Sequence, residues 1–175
     1  MISFYLRAVD RFSRAAWVMA QVLIALAIAI CCANALSRKL LDLSSNAFLE
    51  AQWYCFGAAF LLAGSQAMAD NAHVRIDILA GRLSERRRLQ IDLAGLLGCV
   101  IPFCLLMTVW SWPMFADAFA RQEMSADAGG LLRWPIKLMI PLGFLLLTLQ
   151  AGSQVIYTLE RMKNLAATGN RAEHA

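Results

Sequence analysis

Between Glu50 and Asp70 the chain carries no ionised side chain. That gap is about the 20 residues a helix needs to cross roughly 30 Å of hydrocarbon. It marks one of four expected spans, at about 15–36, 48–69, 91–116 and 136–159. With 60% hydrophobic residues, only 16% charged and a mean hydropathy of +0.57, the chain cannot keep its apolar surface out of water as a soluble domain. A soluble helical protein would need polar helix faces, and the four segments are apolar all round. The expected fold class is therefore an all-α integral membrane protein with four transmembrane helices.

In chain order, Ile2, Tyr5, Leu6, Val9 and Phe12 recur at helical spacing opposite Ser3, Arg7, Asp10, Arg11 and Arg14. This predicts a short amphipathic helix lying in the interface ahead of the first span. Arg7, Arg11 and Arg14 before an apolar run, with Ala33 and Ala35 in an A-x-A match, invite a signal-peptide reading. The apolar run is span-length, however, so a retained signal anchor is expected. Ala25, Ala29 and Ala33 form a small-residue ridge on that span, and Ala94 and Gly98 a similar pair on the third, both suited to close helix packing. Pro102 and Pro113 are expected to kink the third helix. The segment 125–130 (SADAGG) is turn-forming, and Arg133, Trp134 and Pro135 introduce the last span with an interfacial ring and a proline suited to a first turn. Gln150 and Gln154 share a face and can bond across helices. Residues 1–160 form one four-helix domain, and 161–175 read as a loose polar tail.

Lys and Arg fix the expected orientation. Arg7, Arg11, Arg14, Arg75, Arg82, Arg86, Arg87, Arg88, Arg161, Lys163 and Arg171 flank one side; Arg38, Lys39, Arg121, Arg133 and Lys137 flank the other. The richer side is cytoplasmic, which puts both termini and the loop 70–90 inside and the 125–130 turn outside. The net charge of +4 is thereby explained by membrane orientation rather than nucleic acid, since the basic residues form no continuous recognition surface.

The residues of catalysis are missing from the places where a membrane enzyme would need them. His73 lies in a loop and His174 at the C-terminal end, so no span offers paired imidazoles for a haem. Cys31, Cys32, Cys55, Cys99 and Cys104 all lie in apolar spans without C-x-x-C spacing, where a thiol behaves as a small hydrophobe. No phosphate-binding glycine loop occurs. No span shows the discontinuity or mid-bilayer polar site of a self-contained carrier. An accessory membrane subunit without its own chemistry or cofactor is the reading the residues support.

Glu50 with the following W-Y-x-F, then His73-Val74-Arg75-Ile76-Asp77, resembles the small permease subunit of tripartite ATP-independent periplasmic (TRAP) transporters, the DctQ family. The run 125–135 (SADAGGLLRWP) leading into 140–144 (IPLGF) is similar to the same family's approach to its last span. The pair Asp70-Asn71 departs from the basic residues the family often has before the histidine. The resemblance implies a bacterial inner-membrane transporter of three parts: a DctP-like periplasmic solute-binding protein, a DctM-like large permease holding the sodium and substrate sites, and this chain. It implies that the small subunit widens the stationary scaffold of an elevator-type permease taking up an organic acid.

On the expected topology Glu50 lies at the outer end of its helix and His73, Arg75 and Asp77 at the inner end, so they cannot form one site. Glu50, Gln52, Trp53, His73, Arg75 and Asp77 are expected to contact the large permease and lipid, with an interfacial carboxylate facing water as the other reading of Glu50. Arg121, Glu123, Arg133 and Trp134 are expected to form a periplasmic docking rim. The alternative is a self-sufficient four-helix exporter in which Glu50 is the proton-coupled carboxylate.

Overall fold

A computed structural model describes residues 2–42, 45–70 and 84–173. Among them are four long helices: α1 (Ile2–Leu41), α2 (Asn46–Ala69), α3 (Glu85–Ala120) and α4 (Trp134–Glu173). Helices are what lipid demands, because every backbone polar group must be satisfied within the segment. Ser45 caps α2 by accepting from the Ala47 N–H at 3.3 Å. Three of the four, α1, α3 and α4, are long and apolar enough to cross a membrane. In α2 the apolar run is diluted at both ends by Glu50, Gln52, Ser65 and Gln66.

The helices stand in an open row. α2 folds back on α1 through the short connection 42–45 and packs along it. α4 packs on α2 with the chains parallel, Gly57 lying by Ile136, Leu61 by Gly143 and Gly64 by Leu147. α3 covers the other side of α4 antiparallel, Phe103 against Phe144 and Phe119 against Trp134. α4 is thus the hub, touching α2, α3 and the start of α1.

The expected interfacial helix and the expected first span are one continuous α1. No glycine or proline interrupts the join, and a single inward stripe runs through it. Leu6, Val9, Ser13, Ala16 and Ala20 are all buried, and Leu23, Ala27, Ile30, Asn34 and Ser37 continue the same three-then-four spacing in half-buried positions. That seven-residue repeat is the pattern of a helix supercoiling on its neighbours. The N-terminal turns therefore seat on protein: the Tyr5 hydroxyl donates to the Leu149 carbonyl at 2.9 Å, and the Tyr157 hydroxyl to Asp10 Oδ2 at 3.3 Å. Ala25, Ala29 and Ala33 face away from this seam, and so do Ala94 and Gly98 on α3. α4 also runs on past Glu160, helical to Glu173 where a loose tail was expected.

The interior is made of small and polar residues, and the bulky apolar side chains point outward. The largest fully buried side chains are Gln150, Pro141, Cys104, Ser13, Ser65 and Ser153, while Trp53, Phe60 and Trp110 are each more than 70% exposed. This inversion is expected where lipid is as apolar as leucine and close backbone approach supplies the packing. At Gly143 an added Cβ would lie 2.9 Å from Leu61 Cβ and 3.0 Å from its carbonyl oxygen, so α2 and α4 meet there backbone to backbone. The Ser13 hydroxyl donates to Gln150 Oε1 at 2.9 Å in the buried seam between α1 and α4. Ser13→Ala should destabilise the chain by roughly 0.6–1.7 kcal/mol, the range of interhelical bonds in membranes. A lower denaturant midpoint in detergent micelles is the check, and an unchanged midpoint contradicts the role assigned to this bond.

Candidate functional site

At the outer end of the row the connection 121–133 folds into a compact loop against α2. Gln122 leaves α3 in the left-handed region at φ 49°. Met124 and Leu132 then pair antiparallel, with Ser125 N–H donating to the Leu131 carbonyl at 2.9 Å and Arg133 N–H to the Glu123 carbonyl at 2.8 Å. The tip turns at 127–130, where Gly130 N–H donates to the Asp127 carbonyl at 3.0 Å and Gly129 takes φ 74°.

Glu50, one turn into α2, holds this loop with both carboxylate oxygens. Ser125 Oγ donates to Oε1, and Leu131 N–H donates to Oε2 at 2.6 Å. A carboxylate accepting a hydroxyl and a backbone N–H makes charge-assisted bonds, stronger than neutral ones. One turn earlier Asn46 Nδ2 reaches the Ala128 carbonyl at 3.2 Å. Gly130 is required by the closeness of the grip: a Cβ there would lie 2.5 Å from Ser125 Cβ and 2.9 Å from Glu50 Oε1. Gly130→Val should therefore pry the loop from α2, and a cysteine placed at Ala128 should become several-fold more reactive toward a membrane-impermeant maleimide. Unaltered reactivity would show that the grip survives without the glycine.

The other residues of the expected rim are mostly engaged inside the chain. Arg121 pairs with Asp117 at 2.7 Å on the exposed surface, an interaction of roughly 0–1 kcal/mol. Glu123 pairs with Lys137, half-buried. Trp134 meets Phe119 edge to face, with centroids 5.3 Å apart. Arg133 remains exposed beside a cavity of about 510 Å³ bounded by Glu50, Trp53, Tyr54, Asp127 and Lys137.

The structure thus brings Glu50 together with the rim segment, a juxtaposition the sequence reading did not anticipate. Trp53, 76% exposed, starts an outward aromatic stripe with Phe56 and Phe60 on α2. Gln52 turns inward, and among the described residues its Nε2 is buried without a hydrogen-bond partner, as is Asn34 Oδ1 on α1. His73, Arg75 and Asp77 lie outside the described residues. Among the described residues no group of three or more metal-ligating side chains gathers. Geometrically, this end of the molecule is a rigid loop clamped to a helix beside an exposed aromatic face, an arrangement fitted to binding.

The model of one protein family, described as tripartite ATP-independent periplasmic transporters, DctQ component, matches residues 27–161. No curated protein and no solved structure matches the chain.

Proposed function

The chain belongs to the DctQ family and is the small membrane subunit of a TRAP transporter, and from that premise we propose that it forms part of the stationary scaffold of the large permease. In this reading all four helices span a bacterial inner membrane with both termini cytoplasmic. The transporter takes up an organic acid delivered by a periplasmic binding protein, with sodium coupling located in the large subunit.

The observation that carries the scaffold reading is the outward aromatic stripe Trp53, Phe56 and Phe60 next to a loop that the chain itself holds rigid through Glu50. A domain that moves through the bilayer needs a fixed partner, and helices joined by backbone-close packing resist tilting. Aromatic anchors on an exposed face are the residues that most often carry interface energy. Arg133 and the loop tip then remain to face the periplasmic binding protein. The exporter alternative needs a carboxylate free to exchange protons and substrate, whereas the Glu50 oxygens are both occupied by its own loop.

Co-purification decides between them. Tagged chain extracted in mild detergent should bring down a large permease in stable ratio, and Trp53→Ala combined with Phe60→Ala should reduce its recovery about tenfold. Purification of the chain alone as a stable, transporting homo-oligomer would exclude the scaffold.

A further inference from the structure

At the opposite end of the row the helices part. Within α3, residues Leu96–Val100 form a π-helical turn, and the Ile101 N–H reaches back five residues to the Leu96 carbonyl. The wider turn comes immediately before Pro102, which has no N–H of its own to continue the ladder. Outward of it α3 lies on α4 through Phe103 and Phe144, whose centroids are 5.9 Å apart. Inward of it the helices diverge around a cavity of about 990 Å³, walled by α1, the end of α2, the N-terminal half of α3 and the α4 residues from Gln150 onward.

The wall of this cavity carries both signs of charge. Arg14 enters from α1 and Arg161 from α4, among the carboxylates Asp10, Asp70, Asp92 and Glu160. Several of the acids are already occupied: Asp10 accepts from Tyr157, Asp70 from Gln66 Nε2 at 2.9 Å, and Asp92 has an interaction of its own. Neither Arg14 nor Arg161 makes a hydrogen bond or ion pair with a described residue. A purely anionic ligand would meet the surplus of carboxylates, and a purely cationic one would leave two guanidinium groups uncompensated. A molecule bearing a phosphate and an ammonium satisfies both.

Depth selects the source of that molecule. Trp17 stands one turn from Arg14 on α1, and Tyr157 one turn from Arg161 on α4; such rings sit at the headgroup level. Few contacts join α1 and α3 among the described residues, and Ile91 on the cavity wall is exposed, which gives the cavity an apolar edge at that level. Its volume is of the size that holds an organic ligand. We propose that the cavity binds the headgroup of an aminophospholipid, its phosphodiester toward Arg14 and Arg161 and its primary ammonium toward Glu160 and Asp10 Oδ1, the oxygen to which Tyr157 does not donate. Guanidinium forks suit phosphate oxygens, and basic groups between membrane helices bind the phosphates of lipid headgroups. This inference rests on the membrane-crossing helices and is independent of the scaffold reading.

Native mass spectrometry of the full chain, with any subunit that accompanies it in mild detergent, tests this. Phosphatidylethanolamine, phosphatidylglycerol and phosphatidylcholine with identical acyl chains would be added separately. Phosphatidylethanolamine should be retained about tenfold better than the other two, and Arg14→Gln with Arg161→Gln should remove that advantage while Arg38→Gln, at the far end of α1, leaves it intact. A second variant, Asp10→Asn with Glu160→Gln, should shift preference toward phosphatidylglycerol without lowering total lipid bound, a change that loss of folding cannot imitate. Equal retention of all three lipids by the unaltered chain, or unchanged selectivity in both variants, overturns the proposal. Displacement of the lipid by millimolar glycerophosphoethanolamine would assign the cavity to a soluble ligand and overturn it as well.

Discussion

Gly143→Leu is expected to prevent the chain from accumulating in folded form, because the position where it would place four carbons is occupied by the backbone of α2. Even a Cβ there comes within 2.9 Å of Leu61 Cβ and 3.0 Å of its carbonyl oxygen. A side-chain tip could swing aside, but a helix backbone must translate, and α2 is also fixed along α1. Gly143→Ala should cost about 1–3 kcal/mol, the usual range for overpacking. Leucine, with three further carbons, should exceed the small net stability of a folded domain. Fluorescence-detected size exclusion of a tagged chain checks this: loss of the folded peak for leucine and a lower melting temperature for alanine are expected. A leucine variant as stable as the parent would mean that α2 and α4 are not in backbone contact.

The second large effect concerns Glu50. Glu50→Ala removes both acceptors from the loop, so Leu131 N–H and the Ser125 hydroxyl lose their partners together. Amide exchange at Leu131 should accelerate by about tenfold or more, since local opening then no longer requires breaking these bonds. Glu50→Gln keeps one carbonyl oxygen for Leu131 N–H, and the Ser125 hydroxyl can reverse and accept from the new amide. Glutamine should therefore retain much of the protection and of the permease recovery. A proton-coupled carboxylate predicts no such order in transport, with glutamine as inactive as alanine while the loop stays protected.

The extent to which the sequence disclosed this fold depended on which force was acting. Four helices were legible because long gaps between charges have one physical use, crossing or lining hydrocarbon, and each gap lies within one of the four helices of the structure. The buried faces were not legible in the same way. In a soluble helix the apolar stripe marks the core, but here Ser13, Ala16 and Ala20 are the inner stripe and Val18, Val22 and Ile24 face outward. The Ala25, Ala29 and Ala33 ridge obeys the same small-residue rule as the true seam, and hydropathy cannot separate them. A regular three-then-four repeat from Leu6 to Ser37 was the available signal that α1 is one helix.

The outer site was legible as residues but not as a constellation. Glu50 and the segment 125–135 stand out individually, yet their bonds span separations of 75 and 81 residues, and nothing local announces them. Once the loop was seen against α2, the need for glycine at 130 became a matter of distance. The inner cavity depended on the π turn before Pro102, for which the proline gave the place but not the form.

The position of α4 bears on how the chain is made. The helices α1 and α2 both precede α4 in the chain, so the α1–α2 hairpin is made before Gln150 can meet Ser13. A chain interrupted before Trp134 leaves the Ser13 hydroxyl without its Gln150 acceptor and lacks its keystone. The polar seam between α1 and α4 thus closes only once the chain has been made past Gln150.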